Sequence, residues 1–174
     1  NYPQKSGQWE WTDNPSYWAN VPNSDDKIAI ANSHYTFTKF DVSLFTPSLD
    51  MTGRTSVHID VDKNFQDDYY GYGEARIAVY SGGRSSANQE EVLETWTDDD
   101  PSDGEHVSYT IDPSGYDDPS NVYIEFWYST EDYYYGYGFA VDNVIIDGRG
   151  PAVTTESATA IAKFSATAHG AIAD

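Results

Sequence analysis

The sequence predicts an all-β fold, an antiparallel β-sandwich, and three observations carry that prediction. Apolar and polar residues alternate with period two in short runs. Clusters of Gly, Pro, Asp, Asn and Ser separate the runs at regular intervals. No window of twelve residues shows a helical period with caps. Period two is the strand signature because successive side chains point to opposite faces, so one set meets a core and the other meets water.

Taken in chain order, the expected strands are residues 27–31, 42–45, 57–61, 75–80, 91–96, 107–111, 122–128 and 139–146. The clearest alternations are Val57, Ile59 and Val61 against His58, Asp60 and Asp62, and Val122, Ile124, Phe126 and Tyr128 against Tyr123, Glu125 and Trp127. Pro22-Asn23-Ser24-Asp25-Asp26, Ser81-Gly82-Gly83 and Asp112-Pro113-Ser114-Gly115 are turn chemistry between them. After Gly150-Pro151 the aromatics stop. The expected organisation is therefore a sandwich over residues 1–150, a linker over 151–160, and the first strand of a neighbouring domain over 161–174. Asn1 and the absence of a recognisable leader predict a processed or excised piece of something longer.

A chain of 174 residues is one domain's worth and can bury a normal core. Its 16% aromatic content is not that of a disordered chain. The 29 acids against 9 bases give a net charge of -20, which excludes nucleic-acid binding through a basic face and disfavours anionic lipid. Acidity of this size fits a salty medium, bound divalent cations or a demand for solubility. The lack of cysteine excludes disulfides, thiolate metal sites and a cysteine nucleophile. No apolar run reaches the roughly 20 residues of a membrane-spanning helix, so membrane insertion is not expected.

One internal similarity stands out. Asp68-Tyr69-Tyr70-Gly71-Tyr72-Gly73 resembles Asp132-Tyr133-Tyr134-Tyr135-Gly136-Tyr137-Gly138, and each segment leaves one strand and enters another. Two similar hairpin tips are expected, at one end of the sandwich if the entering strands run the same way. They hold 7 of the 15 tyrosines: Tyr69, Tyr70, Tyr72, Tyr133, Tyr134, Tyr135 and Tyr137. Either these rings pack locally over a permissive Tyr-Gly turn, or they form a ligand-binding surface of the kind that tyrosine-rich loops build.

Catalytic signals are absent: zinc-peptidase, serine-hydrolase and nucleotide-binding motifs do not occur. His34, His58, His106 and His169 stand alone and read as solvated or turn residues. Asp60, Asp62 and Glu125 lie on strands and would need the fold to bring them together for carboxylate-pair chemistry. Asp142 differs from the loop acids because it interrupts the apolar run Phe139-Ala140-Val141-Asp142-Asn143-Val144. An acid there needs a partner, or an edge position facing water; a cation is the expected partner.

The order of these segments resembles a known family. Trp9, Trp11 and Trp18 come first, then Ile28-Ala29-Ile30-Ala31, then Leu44-Phe45-Thr46-Pro47-Ser48-Leu49-Asp50, and finally Phe139-Ala140-Val141-Asp142-Asn143-Val144. This pattern, over about residues 7–148, resembles the MAM-like, choice-of-anchor-type jelly-roll domains. These are accessory modules of secreted microbial metallopeptidases of the immune-inhibitor-A-like kind and of adhesins. The resemblance implies a jelly-roll sandwich with a structural Ca²⁺ on Asp142 and Asp26; the Phe-Glu pair that supplies a further ligand in the family's first strand is missing from residues 2–11. Ala162-Lys163-Phe164-Ser165-Ala166 resembles the start of a polycystic-kidney-disease-type (PKD) domain. Together they imply an extracellular, non-catalytic module. Its partners would be a polysaccharide, a protein substrate or a cell surface, besides neighbouring domains of its own chain. A carbohydrate-binding module using the tyrosine-rich loops is the alternative reading.

Overall fold

A computed structural model describes residues 8–12, 20–24, 27–33, 39–67, 73–97, 104–130, 137–149, 152–155, 159–162, 165–167 and 170–173, with side chains as far as Gly148. Nine strands build two antiparallel sheets. They are β1 (Glu10–Thr12), β2 (Ile28–Asn32), β3 (Phe40–Phe45), β4 (Ser56–Gln66), β5 (Gly73–Ser81), β6 (Gln89–Trp96), β7 (Glu105–Ile111), β8 (Val122–Thr130) and β9 (Gly138–Arg149). The five-stranded sheet runs β1-β2-β9-β4-β7 and the four-stranded sheet β3-β8-β5-β6. The all-β antiparallel sandwich expected from the alternation is what forms. Each expected strand has its counterpart, and β1, three residues long, is the addition.

The period-two pattern decides what lies between the sheets. Val57, Ile59, Val61 and Phe65 of β4, Phe139 and Val141 of β9, Ala75, Ile77 and Val79 of β5, and Ile124, Phe126 and Tyr128 of β8 make one cluster. Trp96 and Phe139 meet in a tilted contact at 5.7 Å, and Phe40 meets Tyr128 at 5.7 Å. Lys63 also points inward, fully buried. Its Nζ lies 4.0 Å from the Trp96 ring centre and pairs with Glu105, its cross-strand partner on β7. At the β6–β7 side of the sandwich, Tyr109 of β7 donates to Glu94 of β6 at 2.5 Å, tying one sheet to the other, and Tyr116 of the β7–β8 connection donates to Glu91 of β6. Burial and the facing carboxylates push both phenols far above their ordinary range, so they stay protonated as donors.

One feature corrects an expectation. The tyrosine-rich segments are not hairpin tips within a sheet. Residues 67–72 join β4 of one sheet to β5 of the other, and residues 131–137 return from β8 to β9. Their flanks are nonetheless neighbours, because Gln66 pairs with Gly138 and Gly73 with Thr130. Beyond Arg149, four short strands form ladders of their own: β10 (Ala152–Thr155) with β13 (Gly170–Ala173), and β11 (Thr159–Ala162) with β12 (Ser165–Thr167). β10 falls within residues 151–160, where Val153 and the threonines after it suit a ladder.

The outer face of the five-stranded sheet is partly covered by residues 20–24. Val21 packs there on Ile28, Ile30 and Ala140. This cover needs a glycine at position 104, which has φ +81°. A Cβ built on it would lie 1.9 Å from the Asn20 carbonyl oxygen. Gly104→Ala is expected to destabilise the fold by about 1–2 kcal/mol for the left-handed backbone alone, and by more if Asn20 cannot retreat. A thermal melt checks this, and an unchanged Tm would show that Asn20 is not held against the sheet.

Candidate functional site

The chemistry-bearing side chains collect on the outer faces of the two sheets. On the four-stranded sheet the register places Trp127 between Ser43 and Arg76, and Glu125 between Phe45 and Ala78. Tyr80 and Tyr123 form the next row. Glu125 should face water by its position in the alternation, yet it is only 3% exposed. Its burial is tolerated because its oxygens accept four hydrogen bonds: from Ser43 at 2.6 Å, from Arg76 Nε and Nη2 at 3.2 and 3.0 Å, and from Tyr80 at 2.9 Å. Burial, and then Glu125, push the Tyr80 phenol up to about 12, so it remains a donor at any physiological pH.

The arginines tie this cluster to the aromatic rings. The Arg76 guanidinium lies 4.4 Å from the Trp127 ring centre, while Trp127 Nε1 donates to Asp41 at 2.8 Å. Arg84 stacks on Tyr123 at 4.5 Å, and Phe45 meets Tyr80 edge-on at 5.5 Å. Trp127 and Tyr123 are half-buried and held at fixed angles, which is how a sheet presents aromatic surface at low entropy cost.

The second cluster lies on the outer face of the five-stranded sheet. Asp62, 3% exposed, accepts from His106 Nδ1 at 2.7 Å, Asn143 Nδ2 at 3.0 Å and Asn23 Nδ2 at 3.2 Å. Burial alone would raise its carboxyl. The three hydrogen bonds and the His106 charge outweigh that and hold it below the usual carboxylate range. An ionised carboxylate can only accept, so Nδ1 carries the proton. Asn143 reaches Asp62 from a bulge: Asp60 pairs with Ile145 and Asp62 with Asp142, leaving an extra residue on β9, and Asn143 takes φ +46°. Ser108 Oγ lies 3.4 Å from His106 Nε2, giving an Asp–His–Ser order of contacts. Its hydroxyl is spent on Asp60 at 2.5 Å, however, so His106 does not take its proton.

Of the residues expected to form sites, Asp142 and Tyr137 are described; Asp26, Tyr69, Tyr70, Tyr72, Tyr133, Tyr134 and Tyr135 lie outside the described residues. Asp142 is half-buried and opposes Asp62. On the same face, Asn64 Oδ1 is a buried carbonyl without a hydrogen-bond donor. Both are oxygens of the kind a hard cation takes, but they are fewer than its six to eight. Among the described residues no group of three or more His, Asp or Glu side chains comes together as a metal site. Tyr137 is half-buried against Val21, Ile28, Ile30 and Ala140. The Glu125–Arg76 and Asp62–His106 clusters escaped sequence reasoning because their members are 49 and 44 residues apart. The available signal was the outward set Tyr123, Glu125 and Trp127, which is more aromatic than a merely solvated face requires.

No protein-family model and no curated protein matches this sequence. Solved structures do. The K1 cleaved adhesin domain of Lys-gingipain from Porphyromonas gingivalis W83 is similar at 16% identity and a TM-score of 0.53, over 84% of this chain and 87% of that one. A carbohydrate-binding module specific for non-crystalline cellulose, CBM28, aligns at 12% identity and a TM-score of 0.41, over 81% of this chain and 88% of that one. At these identities the first likeness establishes a shared β-sandwich fold.

Two outcomes test the clusters. Glu125→Ala leaves Arg76 and Tyr80 without their shared acceptor and is expected to cost roughly 2–4 kcal/mol, read by denaturant unfolding. Asp62 contributes to stability through a folded-state carboxyl held below its unfolded value. Its contribution is complete above about pH 4 and is lost as pH falls from there through the folded value. In Asp62→Asn the acid limb of the stability curve should flatten; an unchanged limb would show that the carboxylate is not stabilised by folding.

Proposed function

We propose that this chain is a non-catalytic binding module of a larger secreted protein, which it helps hold to a substrate or surface. The observation that carries this reading is how the carboxylates are used. Glu125 and Asp62, the two acids best placed by burial for acid–base work, are each saturated by donors from the protein itself. Beside one of them stand braced aromatic rings. A reacting group needs a free lone pair or proton directed at substrate; a binding face needs rigid side chains that do not rearrange. The adhesin-domain likeness in fold agrees with such a role. A secreted peptidase as the parent, and membership of the MAM-like sandwiches, follow from the sequence resemblance. A structural Ca²⁺ held by Asp142, with Asp26, is part of the same reading.

Purified protein assayed on casein, chromogenic esters and chromogenic glycosides should show no turnover. Turnover that disappears in Ser108→Ala or Asp60→Asn would overturn the reading in favour of a hydrolase. For the ion, Ca²⁺ at 100 times its Kd should stabilise the fold by about 2.7 kcal/mol, or several degrees in Tm for a domain of this size. Mg²⁺ at equal ionic strength corrects for charge screening in so acidic a chain, and Asp142→Asn should abolish the difference. Identical melts of the unsubstituted chain in the two salts would remove the ion from the reading.

A further inference from the structure

We propose that the outer face of the four-stranded sheet binds an uncharged polysaccharide chain laid along β8, with Trp127 and Tyr123 as its stacking platforms; the ligand class rests on the attachment reading above. Trp127 and Tyr123 are four residues apart on one strand and share a face, which separates their Cα atoms by about 13 Å. That span suits several linked sugar rings rather than one. Each ring has one face occupied by a guanidinium, Arg76 at 4.4 Å and Arg84 at 4.5 Å. Both rings are half-buried, and Phe45 also meets Tyr123 edge-on at 6.5 Å, so a ligand would meet the part of each ring that stays exposed. Arg76 is itself held by Glu125, and the indole is pinned through Nε1 to Asp41. Arg76 and Glu125 are thus positioning residues, and the platforms are ordered before any ligand arrives.

The polar groups around the platforms favour hydroxyls. Asp41 on β3 and Gln89 and Thr95 on β6 are exposed on the same face and place acceptors and donors on either side of the platforms, the combination sugar hydroxyls satisfy. The apolar C–H face of a pyranose stacks on an aromatic ring as another apolar group would. Charge argues against an acidic polymer. The Arg76 cation is neutralised by Glu125 at 3.0 Å, Asp41 and Glu74 together outweigh the exposed Arg84 on this face, and the chain carries -20 overall. Composition argues against an apolar protein partner: beyond the braced rings, Val92 is the exposed large hydrophobic residue on this face, at 43%. Among the described residues, the outer face of the five-stranded sheet offers no comparable aromatic pair. Its described outward positions on β4 are His58, Asp60, Asp62 and Asn64, and residues 20–24 cover one end.

The test is native affinity electrophoresis of the full chain through gels containing hydroxyethyl cellulose, xyloglucan or galactomannan, with alginate and casein as acidic and protein comparators. At least one uncharged polysaccharide should retard the protein. Trp127→Ala should weaken that retardation tenfold or more, and Tyr123→Ala should weaken it as well, each judged beside its melting curve. If Trp127→Ala fails to fold, Tyr123→Ala carries the test. Retardation by none of the three, or retardation that survives both substitutions, overturns the proposal. Binding to alginate or casein alone overturns the ligand class while leaving the attachment reading intact. Failure to bind any of the five removes both.

Discussion

The antiparallel ladder between β4 and β9 is the constraint on which the rest of the sandwich depends. It is the longest pairing among the described residues, running from Ser56 opposite Arg149 to Gln66 opposite Gly138. It lies inside the five-stranded sheet, with β2 on one flank and β7 on the other. Because side chains alternate strictly, a slip of one residue would turn Val57, Ile59, Val61 and Phe65 out of the core and bring His58, Asp60 and Asp62 into it. The single interruption, the bulge at Asn143, brings an amide donor to Asp62 that a regular ladder would not supply. The same ladder sets Gln66 beside Gly138, and so brings the flanks of the two tyrosine-rich segments together.

Both sheets share one physical solution to a buried acid on an outward position. A desolvated carboxylate is costly unless its lone pairs are filled. Glu125 is filled by an arginine, a phenol and a serine; Asp62 by a histidine and two asparagines. The surroundings differ in consequence. Around Glu125 the donors are long and planar side chains that also brace aromatic rings. Around Asp62 the donors come partly from residues 20–24, so that carboxylate fastens a covering segment to the sheet. One acid organises an open face, and the other fastens a partial cover over one end of its sheet.

The strands were legible because a half-buried strand writes its burial directly into the order of residues. Val122-Tyr123-Ile124-Glu125-Phe126-Trp127-Tyr128 can be sorted into an inner and an outer set without any structure. The clusters were not legible, because which outer residues meet depends on register across strands distant in sequence. Nothing in residues 73–81 announces that Arg76 will lie opposite Trp127. The inter-sheet nature of the 67–72 and 131–137 connections was hidden for a related reason. A turn sequence says that the chain reverses, but not whether the next strand joins the same sheet or the facing one. Asp142 shows the middle case. Its oddity within an apolar run was visible, while the Asp62 opposite it was not.

The ends of the β4–β9 ladder also set a lever arm. The backbone passes out of the five-stranded sheet at Arg149, opposite Ser56, whereas the tyrosine-rich connections flank the Gln66–Gly138 end. Eleven to twelve extended residues put these two poles roughly 35 Å apart. Whatever follows Arg149 therefore pulls on one pole, with the long axis of the sheets between it and the other. A load transmitted along that axis would run parallel to the strands and shear all the ladder's hydrogen bonds together, rather than peeling them open one after another.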